Sequence, residues 1–151
     1  MRNAPHTTHR TSHVIMTAYK IDHIGIAVVS IDDALAIYQA LGLSEAHREE
    51  VPAQKVVTAF LPVGESRIEL LEPTAEDSPV ARFLARRGPG LHHICFAVAD
   101  IEAALADLSR RGYRLLNERP VAGAEGRKVA FLHPDSGEGV LIELAQSAEG
   151  A

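Results

Sequence analysis

Residues 92–113, HHICFAVADIEAALADLSRRGY, repeat residues 22–43, DHIGIAVVSIDDALAIYQALGL, with no gap. The two segments start seventy positions apart. His23 falls on His93, Ile24 on Ile94, Ala27 on Ala97, Val28 on Val98, Ile31 on Ile101, Ala34 on Ala104, Leu35 on Leu105, Ala36 on Ala106 and Gly42 on Gly112. Self-similarity at a fixed spacing means that one supersecondary unit has been used twice. Each copy opens on a β-branched alternating run, IDHIGIAV or LHHICFAV, which predicts a strand. Ser30 or Asp100 then stands where a helix N-cap belongs, with acidic residues in the first turn. Ile31, Ala34, Leu35 and Tyr38 carry helical spacing, as do Ile101, Ala104, Leu105 and Leu108. Gly42 and Gly112 suit the residue just beyond each helix end.

The second halves of the units echo each other as well. AFLPVGESRIELLE (residues 59–72) and AFLHPDSGEGVLIELAQ (residues 130–146) each read as strand, glycine-containing turn and strand. The turn is three residues longer in the second copy. A strand near LSEAHREEV, and another near YRLLNERPV, completes each unit as βαβββ. Between the copies, DSPVARFLARRG (residues 77–88) predicts a linker helix: Ser78 or Asp77 caps it, Pro79 fits its first turn and Gly88 stops it. The expectation is an α+β chain with one domain over residues 19–147. Module one covers 19–74, the linker helix 77–88 and module two 90–147.

The chain has 151 residues, 46% of them hydrophobic and 23% charged, as in an ordinary globular protein. A net charge of −5 speaks against nonspecific nucleic-acid binding. No apolar run approaches the length of a membrane span. Cys95 is the single cysteine, so no intramolecular disulfide forms and nothing points to secretion; a cytoplasmic protein is expected. The first eighteen residues, MRNAPHTTHRTSHVIMTA, contain no acidic residue. They read as a disordered tail, or as an over-long start with Met16 as the natural first residue. An organelle transit segment is the weaker alternative, since only Arg2 and Arg10 are basic. His6, His9 and His13 have the composition of a metal-binding tract, but a solvated tail is the default for them.

Strand parity separates the faces. Ile24, Ile26 and Val28 share one face, matched by Ile94, Phe96 and Val98, and these are the expected core faces. The opposite face carries His23, Gly25 and Ala27, or His93, Cys95 and Ala97, where small side chains leave space beside a histidine. His92 aligns with Asp22, not with His23. By parity it points toward the side of Ile94 and Phe96, supporting packing or hydrogen bonding at the strand's start. In the last strands Glu69 and Glu143 lie opposite Ile68 and Leu70, or Ile142 and Leu144. One histidine in an apolar strand is ordinarily a core or surface residue, and one strand glutamate ordinarily faces solvent. The duplication of both, at matched positions, points instead to four converging ligands: His23, Glu69, His93 and Glu143. Imidazole with carboxylate suits Mn, Fe, Co, Ni or Zn. Four protein ligands on a six-coordinate ion leave two positions for water or substrate, the arrangement of a Lewis-acid catalyst.

At these residues the sequence resembles the vicinal oxygen chelate (glyoxalase/bleomycin resistance/dioxygenase) superfamily, whose members pair βαβββ modules around a metal. Within it, IDHIGIAV, RIELLEP, DSPVARFL, GLHHICFAVADIEAAL and VAFLHPDSGEGVLIEL are similar to the methylmalonyl-CoA epimerases over most of Tyr19 to Gln146. The resemblance implies interconversion of (R)- and (S)-methylmalonyl-CoA on a divalent ion, cobalt first, with Mn, Ni, Zn or Fe as alternatives. It implies a homodimer, an acyl-CoA partner, and metal ligation by His23, Glu69, His93 and Glu143. Some members carry glutamine at the position of Glu69. Epimerisation needs acid/base groups on both faces of the α-carbon, and Glu143 and Glu69, from opposite modules, are the catalytic candidates. Some members add a carboxylate on the strand that here reads KVVTAFL; Thr58 stands near that place and cannot act as such a base. Arg48, Lys55, Arg67, Arg127 and Lys128 are the cations available to CoA phosphates, with surface solvation as the default role for each.

Three rival readings stand beside this one. A glyoxalase I-type isomerase acts on a glutathione hemithioacetal through a similar His/Glu set. A non-enzymatic binding protein of the same fold typically lacks the full set. An extradiol dioxygenase needs two histidines and one carboxylate, so a fourth ligand at Glu69 argues against it.

Overall fold

The computed structural model describes residues 18–148. The expectations for the amino-terminal tail, including the Met16 start and the tract His6, His9 and His13, lie outside the described residues. The elements are β1 (Ala18–Ala27), α1 (Ile31–Ala40), β2 (His47–Val51), β3 (Val56–Val63), β4 (Ser66–Pro73), α2 (Pro79–Arg87), β5 (Gly90–Val98), α3 (Ile101–Arg110), β6 (Val121–Ala122), β7 (Lys128–Phe131) and β8 (Ile142–Gln146). One mixed sheet runs in the order β2-β3-β4-β1-β5-β8-β7-β6. Each module supplies four neighbouring strands, and the modules join where β1 pairs antiparallel with β5. The ends of the sheet meet: Glu49 on β2 accepts a hydrogen bond from the Glu125 amide, in the turn between β6 and β7, at 2.9 Å. The sheet is therefore curled, and its concave face becomes a cleft. This is the two-module α+β architecture expected from the repeat.

The helices form where the local chemistry directs them. The Ser30 hydroxyl accepts from the Asp33 amide, the Asp100 carboxylate from the Ala103 amide and the Ser78 hydroxyl from the Val80 amide. Gly42 and Gly112 take φ of 86° and 87° just past α1 and α3, where a side chain would be strained. The convex face packs α1 and α3, whereas Val80 and Phe83 of α2 join Ala27 and Leu71 on the other side. Ile31 and Leu35 of α1 meet Leu61 and Leu70, while Ile101, Ala104 and Leu105 of α3 meet Ala130 and Leu144. Full burial of one such aliphatic side chain contributes about 1.5–3 kcal/mol. Ile26 and Phe96, on the expected core face, are half-buried against these clusters. The more deeply buried side of β1 and β5 is the concave one, with His23, Ala27, His93 and Cys95.

One expected strand is largely absent. YRLLNERPV yields a single bridge, Leu115 to Leu132, and the two-residue β6 at its end. Pro120 removes an amide from any ladder there, and only Leu115 of its chain packs into the α3 cluster.

Candidate metal centre

Two rows across the sheet build the cleft floor. Glu69 on β4, Gly25 on β1 and His93 on β5 are successive strand partners. His23 on β1, Cys95 on β5 and Glu143 on β8 form the second row. The rows are related by the repeat, so each histidine lies over a small residue of the opposite module. A Cβ on Gly25 would come within 2.2 Å of the His93 ring. Glycine at this position is what lets the ring lie flat against the strand.

Three of the four expected ligands converge. His23 Nε2 lies 3.0 Å from His93 Nε2 and 2.9 Å from Glu143 Oε1, and His93 Nε2 lies 3.3 Å from the same oxygen. All three residues are buried. A six-coordinate ion with bonds of about 2.1 Å sets adjacent donors about 3.0 Å apart. The triangle has those dimensions, and its two imidazoles and one carboxylate are borderline donors suited to a divalent transition ion. Space of about 20 Å³ remains at this polar centre, enough for one ion or one water. The donor set fits a metal.

Glu69 stands apart from the triangle. Its Oε2 is 2.8 Å from His23 Nδ1, on the far side of that ring, and 3.0 Å from Arg67 Nε. Arg67 also lies 2.5 Å from Glu125 and over the Phe60 ring. Thr58 is buried on β3 and lines the same cleft.

The charges are set by proximity. Burial would raise the Glu143 carboxyl, but His93 and His23 hold it far below the usual carboxylate range. Burial would lower His23, but hydrogen bonds to Asp22, Cys95, Glu143 and Glu69 raise it well above the usual histidine range. Burial pushes the Cys95 thiol up, so it stays protonated.

The parity expectation for His92 fails for a local reason. Between β1 and β5 the register slips by one at Asp22 and again at His92, so each is an extra residue without a partner opposite. Such bulges re-aim side chains. His92 therefore turns to the side of His93, with Nδ1 3.0 Å from His93 Nδ1, and packs edge-on to Phe83 of α2. Hydrogen bonding and packing hold as expected; the direction does not. Burial and the neighbouring His93 lower its pKa to about 4, so it is neutral. Both histidines face a cavity of about 280 Å³, shared with Val56, Leu71, Val80 and Phe131. Sequence reasoning also missed Asp22, whose carboxylate lies 2.7 Å from His23 Nδ1. Its alignment with His92 was the available signal.

The five candidate CoA cations all face acidic groups. Arg48 pairs with Asp32 and Glu45, Lys55 with Asp77, Arg67 with Glu69 and Glu125, and Arg127 with Asp22. Lys128 lies 3.6 Å from Glu102 and is largely exposed.

Comparison with known proteins gives consistent matches. Residues 22–131 match the Glyoxalase/Bleomycin resistance protein/Dioxygenase superfamily. The uncharacterised protein YqjC of Bacillus subtilis (strain 168) is 45% identical over 128 residues, covering 84% of this chain and 91% of that one. The mitochondrial methylmalonyl-CoA epimerase of Homo sapiens is 39% identical over 130 residues, 85% of this chain and 74% of that one. A Streptomyces coelicolor methylmalonyl-CoA epimerase variant, solved with 2-nitronate-propionyl-CoA, superposes with a TM-score of 0.84 at 42% identity, over 89% of this chain and 97% of that one. With its paired modules and histidine–carboxylate cleft, the chain belongs to the glyoxalase/bleomycin resistance/dioxygenase superfamily and, within it, to the methylmalonyl-CoA epimerase family.

Proposed function

We propose that this protein is a metal-dependent isomerase that interconverts (R)- and (S)-methylmalonyl-CoA by removing and returning the α-proton. The observation that carries the reading is the triangle of His23 Nε2, His93 Nε2 and Glu143 Oε1, in a chain of the epimerase family. A divalent ion there, cobalt first, would supply Lewis acidity that stabilises the charge left when the α-proton is removed. His23, His93 and Glu143 would hold it, and Glu69 would complete the set by exchanging its contact with Arg67 for the ion. Glu69 and Glu143 stand at repeat-related positions on β4 and β8, on either side of the β1–β5 seam. They are the acid/base pair, one toward each face of the α-carbon. Thr58, buried at the neighbouring position on β3, offers no carboxylate and is not one of the pair. The apolar cavity beside His93 suits the acyl portion of the substrate and keeps water from the enolate.

The test is deuterium exchange at the α-carbon of methylmalonyl-CoA. Glu143→Gln and Glu69→Gln are each expected to lose at least about 100-fold in exchange, the usual scale of a general acid or base. Full exchange by both variants sinks the acid/base assignment. Turnover of a glutathione hemithioacetal in place of methylmalonyl-CoA sinks the substrate assignment.

We read residues 19–147 as one domain in a cytoplasmic homodimer. No helix among the described residues is long and apolar enough to cross a membrane. Ile24 and Ile94 are half-buried partners at the β1–β5 seam on the convex face, between the α1 and α3 clusters, which suits a second copy. Sedimentation at the monomer mass would refute the dimer.

A further inference from the structure

Arg127 lies in module two, just before β7, yet its guanidinium reaches β1 of module one. Its two terminal nitrogens hold both oxygens of Asp22, at 2.7 Å to Oδ2 and 2.6 Å to Oδ1. Both side chains are largely buried, at 13% and 10% exposed. A bidentate arginine–carboxylate pair fixes the carboxylate plane. Oδ2 of that plane is also the atom that meets His23 Nδ1. The chain of contacts therefore runs Arg127, Asp22, His23 Nδ1, with His23 Nε2 aimed into the triangle.

Two further observations separate this arrangement from an incidental ion pair. First, Asp22 reaches His23 only because β1 bulges there; a regular strand would send it to the convex face. Second, the repeat places His92 in the matching bulge, with its Nδ1 against the Nδ1 of His93. Each candidate histidine thus has its outer nitrogen held by the residue before it and its inner nitrogen facing the other histidine. The two copies use different chemistry for one geometric task, an anion in module one and a neutral imidazole in module two. Glu69 also lies 2.8 Å from His23 Nδ1, as an ion pair, but it is the residue required to leave that position when it joins the ion.

We propose that Asp22 and Arg127 are positioning residues for the metal centre: Asp22 keeps the proton on His23 Nδ1, so that Nε2 presents its lone pair to the ion, and Arg127 acts through Asp22 from the opposite module. A charged acceptor on the outer nitrogen also strengthens the imidazole as a donor. The inference rests on the metal centre of the preceding section but not on its substrate, so the test reads metal binding and proton position without turnover.

The experiment measures Zn²⁺ and Co²⁺ affinity by chelator competition at fixed pH for wild type, Asp22→Asn, Arg127→Gln and the double variant. Loss of an outer partner of a metal-bound histidine weakens affinity by about 10–100-fold. Asp22→Asn is expected near 10-fold and Arg127→Gln somewhat less. The double variant is expected to match Asp22→Asn within about twofold, because the two hydrogen bonds that Arg127 makes here both go to Asp22. Nitrogen NMR of the wild-type Zn²⁺ protein should show His23 protonated at Nδ1, a signature that needs no variant to fold. Affinity of Asp22→Asn within twofold of wild type overturns the proposal. So does a double variant whose losses multiply, or a zinc-bound His23 with its proton on Nε2. A wild-type protein that binds neither ion overturns both this proposal and the metal centre. Binding with the predicted pattern, but no turnover of methylmalonyl-CoA, removes only the substrate reading.

Discussion

A single missing methyl group shapes the cleft. Gly25 has an ordinary strand conformation, so its reason is space: the His93 ring occupies the volume a Cβ would need. In the second module the matching position is Cys95, a small side chain beneath His23. Gly25→Ala should swing His93 out of the triangle and leave Glu143 without one of its two imidazoles. Cobalt titration is expected to show at least a 10-fold loss of affinity, the low end for disturbing a metal-bound histidine. Unchanged affinity would mean the ring adjusts freely and the close approach is incidental.

At the scale of elements, the repeat extends to how helices are anchored. The Ile31 amide at the start of α1 donates to Glu72 Oε1 at the end of β4, at 3.0 Å. The Ile101 amide at the start of α3 donates to Gln146 Oε1 at the end of β8, at 2.9 Å. Each helix thus starts with two caps, one from its own N-cap residue and one from the last strand of its module. That strand also carries the site glutamate three positions earlier, so the cap holds the ligand strand and the helix in register. Glu72→Ala and Gln146→Ala should each lower stability by about 1 kcal/mol, the usual value of a helix cap. Glu72 adds a favourable charge at the positive helix end, so its variant should lose more at low salt. Denaturant unfolding at two ionic strengths checks this; equal losses at both would remove the charge argument.

For the molecule as a whole, the buried cluster makes stability depend on pH in a way metal should reverse. Asp22 and Glu143 are held below their ordinary values of 3.8 and 4.5. Their contribution is complete above those values and is lost as pH falls through the folded pKa. His23 is held above 6.5, so its contribution is complete below that value and fades as pH rises through the raised pKa. The metal-free protein should therefore be most stable between about pH 5 and 6.5. An ion must displace the Nε2 proton of His23, so stabilisation by added Zn²⁺ should grow as pH rises. At an ion concentration 100 times the dissociation constant the gain is about 2.7 kcal/mol. Melting curves from pH 4 to 9, with and without zinc, test both halves. A zinc effect that shrinks with rising pH would argue that His23 is not a ligand.

The repeat made the paired modules, the three helices with their caps, and the strand positions of His23, Glu69, His93 and Glu143 legible in the sequence. Period, caps and turn glycines are local, and a duplication states each of them twice. YRLLNERPV misled because an edge segment with Pro120 and little buried surface has a strand's composition without its pairing. Side-chain direction also escaped, because alternation holds only while the register does. The slips at Asp22 and His92 exist only where β1 meets β5, and they bring both residues to the histidines. The contact between Arg127 and Asp22 depends on the curl of the sheet, which brings the residue before β7 over β1. So does the parting of Glu69 from the other three groups, since Arg67 is itself held by Glu125 from the far end of the sheet. The sequence alone determined that His23, Glu69, His93 and Glu143 stand opposite the aliphatic face of their strands, because residue type and strand parity are written in it. Only the tertiary structure decided which atoms face one another, because bulges and closure arise from strands meeting and not from any one strand.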